Sequence, residues 1–202
     1  MRTTFMATLL VGVMTLGGPL ASGQDKQPST PRLQVASTDL AVTYSTENAK
    51  ITPSSSGSFW FQGGSLDGAV TFFHNFGVAM NVTGDHASNI APGVNMNKIV
   101  FVMGPRYTRR LPSKRESRVF VEALAGGVRG FGSLFPTPTG TDTHASSFAY
   151  QAGGGLDIAI TKHLALRAIE ADYVRTYLPN NGTNNQANLR LAFGVTYHSQ
   201  NH

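Results

Sequence analysis

Asn188-Leu-Arg-Leu-Ala-Phe-Gly-Val-Thr-Tyr-His198, near the end of the chain, alternates with a period of two. Leu189, Leu191, Phe193, Val195 and Tyr197 share one face, and Asn188, Arg190, Ala192, Gly194, Thr196 and His198 share the other. Successive side chains of a β-strand point to opposite faces, so this stretch is a strand with one large apolar face and one small or polar face. A lipid-facing barrel strand has this character. A half-buried strand of a soluble protein has it too, so one strand does not decide between them. Repetition does.

Working towards the N-terminus, Phe148, Tyr150, Ala152, Leu156, Ile158 and Ile160 alternate with Ser147, Ala149, Gln151, Gly153, Gly155 and Asp157. Ile99, Phe101, Met103 and Tyr107 alternate with Lys98, Val100, Val102, Gly104 and Arg106. Val78, Met80 and Val82 oppose Ala79, Asn81, Thr83 and Asp85. Leu66, Val70 and Phe72 oppose Asp67, Ala69 and Thr71, while Leu40, Val42 and Tyr44 oppose Ala41 and Thr43. The runs from Arg118 to Gly130 and from Leu164 to Tyr177 are strand-like but less regular. Together these make about eight strands, an even number, as in bacterial outer-membrane barrels.

The connections alternate as well. His74-Asn75-Phe76, Arg110 to Ser117 and Thr161-Lys162-His163 are short or basic; Glu47 to Ser58, Ala87 to Asn95, Gly132 to His144 and Pro179 to Gln186 are longer and polar. Short turns on one rim and long loops on the other belong to an up-and-down barrel. The reading is all-β: an eight-stranded antiparallel transmembrane barrel with four surface loops. The aromatics Phe59, Trp60, Phe61, Phe72, Phe73, Phe76, Phe131, Phe135, Tyr173, Tyr177 and Tyr197 are expected in its interfacial girdles.

Composition agrees. The 202 residues carry a formal charge of +5, with only 13% charged residues and no Cys, which excludes disulfides and thiolate metal sites. The dense basic group Arg106, Arg109, Arg110, Lys114, Arg115 and Arg118 reads as a solvated turn rather than a nucleic-acid patch. Arg2, the apolar stretch Met6 to Leu16 and the small residues Ala21-Ser22-Gly23 read as a secretory signal over 1–23. A polar lead-in over 24–37 and the barrel over 38–202 follow. Export and the strand pattern place the protein in the cell outer membrane of a Gram-negative bacterium.

From Gly153 onward, Gly-Gly-Gly-Leu-Asp-Ile-Ala-Ile-Thr-Lys-His-Leu-Ala-Leu-Arg167, followed by Leu189 to Tyr197, resembles the end of an OmpA-like transmembrane domain. Asp157, Arg167, Gly194 and Tyr197 stand at the matching positions. The likeness is in sequence over about the last third and in topology over the rest. It implies delivery by periplasmic chaperones, insertion by the barrel assembly machinery and an assembly signal at Gly194 and Tyr197. Two departures stand out: no peptidoglycan-binding domain follows the barrel, and five residues, His198 to His202, follow Tyr197.

Alternation also assigns the interior. A turn centred on Lys162 sets Asp157 opposite Arg167, both facing the lumen, with Glu122, Arg190 and Arg106 as further lumen charges. Strict alternation would then send Glu170 and Asp172 into lipid, so a β-bulge near Ala168-Ile169 is expected to turn both inward. Phe148, Tyr150, Leu156, Ile158, Leu189, Leu191, Phe193 and Val195 face the membrane in this reading.

No catalytic, cofactor or metal motif emerges. The six His show no metalloprotease spacing. His198 and Ser199 would point to opposite faces, and no carboxylate is placed to orient the imidazole. Ala125-Gly-Gly-Val and Gly153-Gly-Gly-Leu lead into no helix, as a nucleotide fingerprint would require. The expectation is a monomeric, non-enzymatic structural protein of the outer membrane, in contact with lipid and lipopolysaccharide. Its loops would serve surface interaction or adhesion, and its lumen would not be an open pore, because eight strands enclose room only for their own side chains. Two alternatives remain: a barrel enzyme modifying outer-membrane lipid through His198-Ser199, and a soluble periplasmic binder of lipocalin type.

Overall fold

A computed structural model describes residues 35–50, 57–72, 75–91, 93–112, 117–180, 182 and 184–200. Eight strands follow one another: β1 (Ser37–Lys50), β2 (Ser58–Thr71), β3 (Phe76–Ala91), β4 (Val94–Arg110), β5 (Arg118–Thr137), β6 (Gly140–Ala159), β7 (Leu164–Thr176) and β8 (Gln186–Gln200). Each pairs antiparallel with the next, and β1 with β8, so the sheet closes into a barrel without an edge. Closure matters physically, because an open strand edge would leave backbone N–H and C=O groups unsatisfied in lipid. The secretory signal over 1–23 lies outside the described residues, as does all of the lead-in but Val35, Ala36 and Ser37; Ser37 already pairs with Thr71.

Period-two sequence becomes an inside and an outside. Leu189 is 55% exposed and its neighbour Arg190 is 1% exposed, and β8 repeats that contrast through Phe193 and Thr196. The exposed apolar face continues round the wall through Val42, Leu66, Met80, Phe101, Val121 and Leu166. Inside, an apolar sector formed by Ala69, Ala79, Val100, Val102, Leu124 and Val128 faces a polar sector rich in charge.

The expected bulge region is irregular in both ladders of β7. Asp157 pairs with Arg167 but Leu156 with Ile169, and on the other side Arg167 pairs with Gly194 but Glu170 with Ala192. Ala168 and Ile169 are therefore both exposed, and Glu170 and Asp172 are fully buried.

Strands extend into three segments read as loops. β1 runs on to Lys50 and β2 starts at Ser58, β3 runs to Ala91 and β4 starts at Val94 after Gly93 with its positive φ of 76°, and β5 and β6 meet across 138–139. Both β5 and β6 have 20 residues, about twice the 9–11 that cross a hydrocarbon core. Polar composition marks exposure to water, not the end of pairing. Thr-rich antiparallel strands stay hydrogen-bonded beyond the apolar belt. In the expected loop from Pro179 to Gln186, the described residues 179, 180, 182, 184 and 185 belong to no strand, and Gln186 opens β8.

Three girdle assignments are corrected. Phe61 and Phe135 are buried inside the barrel and Phe59 packs against Phe61 on the same inward side, whereas Trp60, Phe76, Phe131, Tyr173, Tyr177 and Tyr197 face outward. Phe61 lies beside Lys98, and Phe135 follows an irregularity between Phe131 and Phe135 that changes which face its side chain takes. Phe73 lies outside the described residues.

Candidate functional site

The chemistry of this molecule is concentrated in its lumen, which three groups of charged side chains fill from one rim to the other. Strand register assembles them. Asp39 lies opposite His198, Asp85 opposite Lys98, Arg106 opposite Glu122, Asp157 opposite Arg167 and Asp172 opposite Arg190, always on the inward face.

The middle group is the largest. Arg167 donates to Asp157 Oδ1 from Nε at 2.9 Å, to Asp67 Oδ1 at 3.1 Å and to Glu170 Oε2 at 2.8 Å. Arg106 donates to both oxygens of Asp67, at 2.9 and 2.6 Å, and closely to Glu122 Oε2. Arg190 donates to Asp172 Oδ2 at 2.9 Å and to Thr83 Oγ1 at 2.6 Å. The guanidinium carbons of Arg106 and Arg167 lie 4.4 and 4.5 Å from the ring centroid of Phe120, which fills the space between the two cations. Gly155 makes room for that ring: a Cβ there would come within 2.7 Å of Phe120 Cε1. Asp67 and Phe120 escaped the sequence reading as partners. Asp67 was legible as inward-facing on β2, but its reach to Arg106 and Arg167, 39 and 100 residues away, depends on the curvature of the closed wall.

At the rim where β1 begins, β8 ends and the 160–163 turn lies, His198 Nδ1 is 2.7 Å from Asp39 Oδ1 and 3.2 Å from an Arg118 guanidinium nitrogen, and Arg118 stands 3.5 Å from the same carboxylate. This corrects the reading that no carboxylate orients His198. The pair spans 159 residues and forms only because β8 closes on β1. Ser199 alternates to the opposite face from His198 and pairs with Thr38, so its hydroxyl does not join the Asp39–His198 pair as a nucleophile would. The basic-turn reading is corrected too: Arg106 and Arg118 are buried in the lumen, while Arg109 and Arg110 are exposed.

Towards the opposite rim, Lys98 bonds closely to Glu47, stands 3.6 Å from Asp85 Oδ2 and lies 4.2 Å from the centroid of Phe61. Asn188 donates to Glu47 Oε1 at 2.6 Å. Above them opens a vestibule of about 380 Å³, walled by Phe59, Phe61, Ile90, Met96, Phe135 and Leu178, with Lys98 and Asn188 at its polar end.

Gly194 sits where β8 crosses β1, opposite Thr43, and a Cβ there would come within 2.7 Å of Thr43 Cα. Tyr197 faces outward and stacks on His163 of the 160–163 turn, with centroids 6.0 Å apart and planes at 23°. Phe148, Leu189, Phe193 and Val195 are prominent on the outer wall, and Leu191 lies with them; Tyr150, Leu156 and Ile158 are half-exposed.

A closed eight-stranded barrel with an apolar outer wall and a charge-filled interior has the fold of the small outer-membrane barrels. Neisserial surface protein A shares it at 15% identity and a TM-score of 0.57, covering 79% of this chain and 96% of that one. Ail, the attachment invasion locus protein of Yersinia pestis, solved with the heparin analogue sucrose octasulfate, shares it at 14% identity and a TM-score of 0.53, covering 82% and 100%. The outer membrane protein OprG of Pseudomonas aeruginosa does so at 9% and 0.50, covering 83% and 98%. No family model matches the sequence, and no curated protein matches it.

Proposed function

We propose that this protein is an OmpA-like structural barrel of the outer membrane that presents its long-stranded rim at the cell surface for interaction or adhesion. The observation that carries the reading is the apolar outer wall. Val42, Leu66, Phe101, Phe148, Phe193 and Val195 are all exposed, and exposed large apolar residues occur on every one of the eight strands, a face that soluble monomers rarely show. This argues against the soluble lipocalin-type alternative. Names of similar barrels, an attachment invasion protein and a surface protein, support a surface role. The orientation rests on the rule that short turns face the periplasm. It sets 72–75, 111–117 and 160–163 inside and the β5–β6 hairpin outside, with lipopolysaccharide around the outer half.

Arg167, Arg190, Glu170 and Gln151 are fully buried across the lumen, which supports a closed barrel rather than a pore. A signal peptide over 1–23, chaperone delivery, insertion by the assembly machinery with Gly194 and Tyr197 as the signal, and a monomeric state belong to the same proposal. So does the absence of enzymatic activity, supported by Ser199 facing away from His198 and Asp39. On this reading the protein floats with outer membranes and migrates faster on gels unheated than boiled. Recovery as a detergent-independent periplasmic protein would overturn it.

The vestibule favours one addition: its volume and apolar walls suit a small apolar ligand. Displacement of a fluorescent apolar probe, lost in Leu178→Asp, tests that addition separately.

A further inference from the structure

The middle lumen group is not neutral. Asp67, Glu122, Asp157, Glu170 and Asp172 are five carboxylates facing three guanidiniums, Arg106, Arg167 and Arg190. All eight side chains are buried, and two negative charges are left over. Buried charge without compensation is strongly unfavourable, so the interior calls for two more positive charges, either protons on two of the carboxyls or a bound cation.

Geometry says where they go. Glu122, Glu170 and Asp172 each bring one oxygen into a common space, these atoms lying within 4.8 Å of one another. Each also has one oxygen committed elsewhere: Glu122 Oε2 to Arg106, Glu170 Oε2 to Arg167 and Asp172 Oδ2 to Arg190. Of the remaining oxygens, Glu170 Oε1 and Asp172 Oδ1 accept no hydrogen bond. Glu170 Oε1 stands 3.7 Å from the Arg190 guanidinium, beyond hydrogen-bond reach. Glu122 Oε1 accepts only the Gln151 amide, at 3.2 Å. An independent observation comes from Gln151 itself. Its side chain is 1% exposed, its amide lies against Glu122, and its Oε1 has no partner. A buried carboxamide oxygen left without a donor, on a side chain packed against Glu122, is a fourth oxygen available to a cation at this cluster.

We propose that Glu122, Glu170 and Asp172, with Gln151 Oε1, bind one hard divalent cation inside the barrel. The ligand set is all oxygen, which suits Ca²⁺ or Mg²⁺ rather than a thiophilic metal. Ca²⁺ fits better, because it accepts irregular coordination by carboxylates and amide carbonyls, whereas Mg²⁺ demands near-octahedral geometry and retains waters. A dication also matches the two-charge deficit of the group. The site is closed by the wall, so the cation enters as the barrel forms.

The test uses the full chain folded into detergent micelles, with either Ca²⁺ or EDTA present during folding, then exhaustively desalted and analysed for metal. About one equivalent of calcium per chain is expected after folding with Ca²⁺, together with slower conversion to the heat-denatured gel form than for protein folded in EDTA. Magnesium retained in a parallel Mg²⁺ arm would support the same site. Glu170→Gln and, separately, Asp172→Asn should lose the retained metal, while Asp39→Asn, in the Asp39–His198–Arg118 group, should keep it. Two wild-type results overturn the proposal even if the variants fail to fold. One is no retained divalent metal. The other is identical heat resistance with Ca²⁺ and EDTA. Either result would mean that protonated carboxyls balance the charge. Full calcium retention by folded Glu170→Gln would overturn it as well.

Discussion

Arg167 sits at the centre of the residue-scale account, because its guanidinium bonds Asp157, Asp67 and Glu170 from three different strands. Arg167→Ala leaves these carboxylates facing one another, and removing one partner of a buried charge group costs about 3–5 kcal/mol. Urea unfolding in lipid vesicles should show that loss. Arg167→Lys should recover only part of it, since an ammonium cannot reproduce the planar fork; full recovery would mean that charge alone matters. The outer wall gives the complementary test. Val42, midway along β1, is 59% exposed, and Val42→Arg should cost about 2–4 kcal/mol if it lies near the bilayer midplane. Thr141→Arg, on the exposed extension of β6, should cost about 0–1 kcal/mol. Equal costs at the two sites would argue against a lipid belt. At this scale the sequence was informative where partners are close along the chain. The 160–163 turn sets Asp157 against Arg167 ten residues apart, and both were legible. Asp39 with His198, and Glu47 with Asn188, meet only through barrel closure, and no local pattern encodes that.

Among the elements, β7 shows most clearly how sequence chemistry overrides a regular period. Unbroken alternation after Arg167 would send Glu170 and Asp172 outward, and the irregularity at Ala168-Ile169 turns both inward. Deleting Ala168 restores strict alternation and forces either those carboxylates or Arg167 into lipid. Outer-membrane levels of the deletion variant should fall sharply, while deletion of Asn180 in the 177–185 connection should be tolerated. Normal assembly without Ala168 would show that the irregularity is dispensable. In β8, Tyr197→Ala should slow assembly in a pulse-chase, both through the proposed signal and through the lost stacking on His163. Strand number and facing were readable because apolar and polar residues alternate over long runs. Strand length was not: the β5–β6 hairpin continues through polar Thr137, Gly140, Thr141 and Asp142, where composition marks water but backbone pairing persists.

For the whole molecule, the account joins an apolar exterior, a lumen packed with paired charge and a rim of extended hairpins. An interior filled by Arg106, Arg167, Arg190 and their carboxylates should pass no steady ionic current in planar bilayers, and stable conductance would mean that the lumen rearranges. The central claim is that the wall spans the outer membrane with the β5–β6 hairpin outside and the 160–163 turn inside. Because the chain has no Cys, one introduced thiol reports one position. Thr139→Cys, in the β5–β6 turn, and Lys162→Cys, in the β6–β7 turn, should be exposed to a membrane-impermeant maleimide in intact and in permeabilised cells. The account predicts labelling of Thr139→Cys in intact cells and of Lys162→Cys only after permeabilisation. Labelling of Lys162→Cys in intact cells with Thr139→Cys protected, or of neither until permeabilisation, would contradict it.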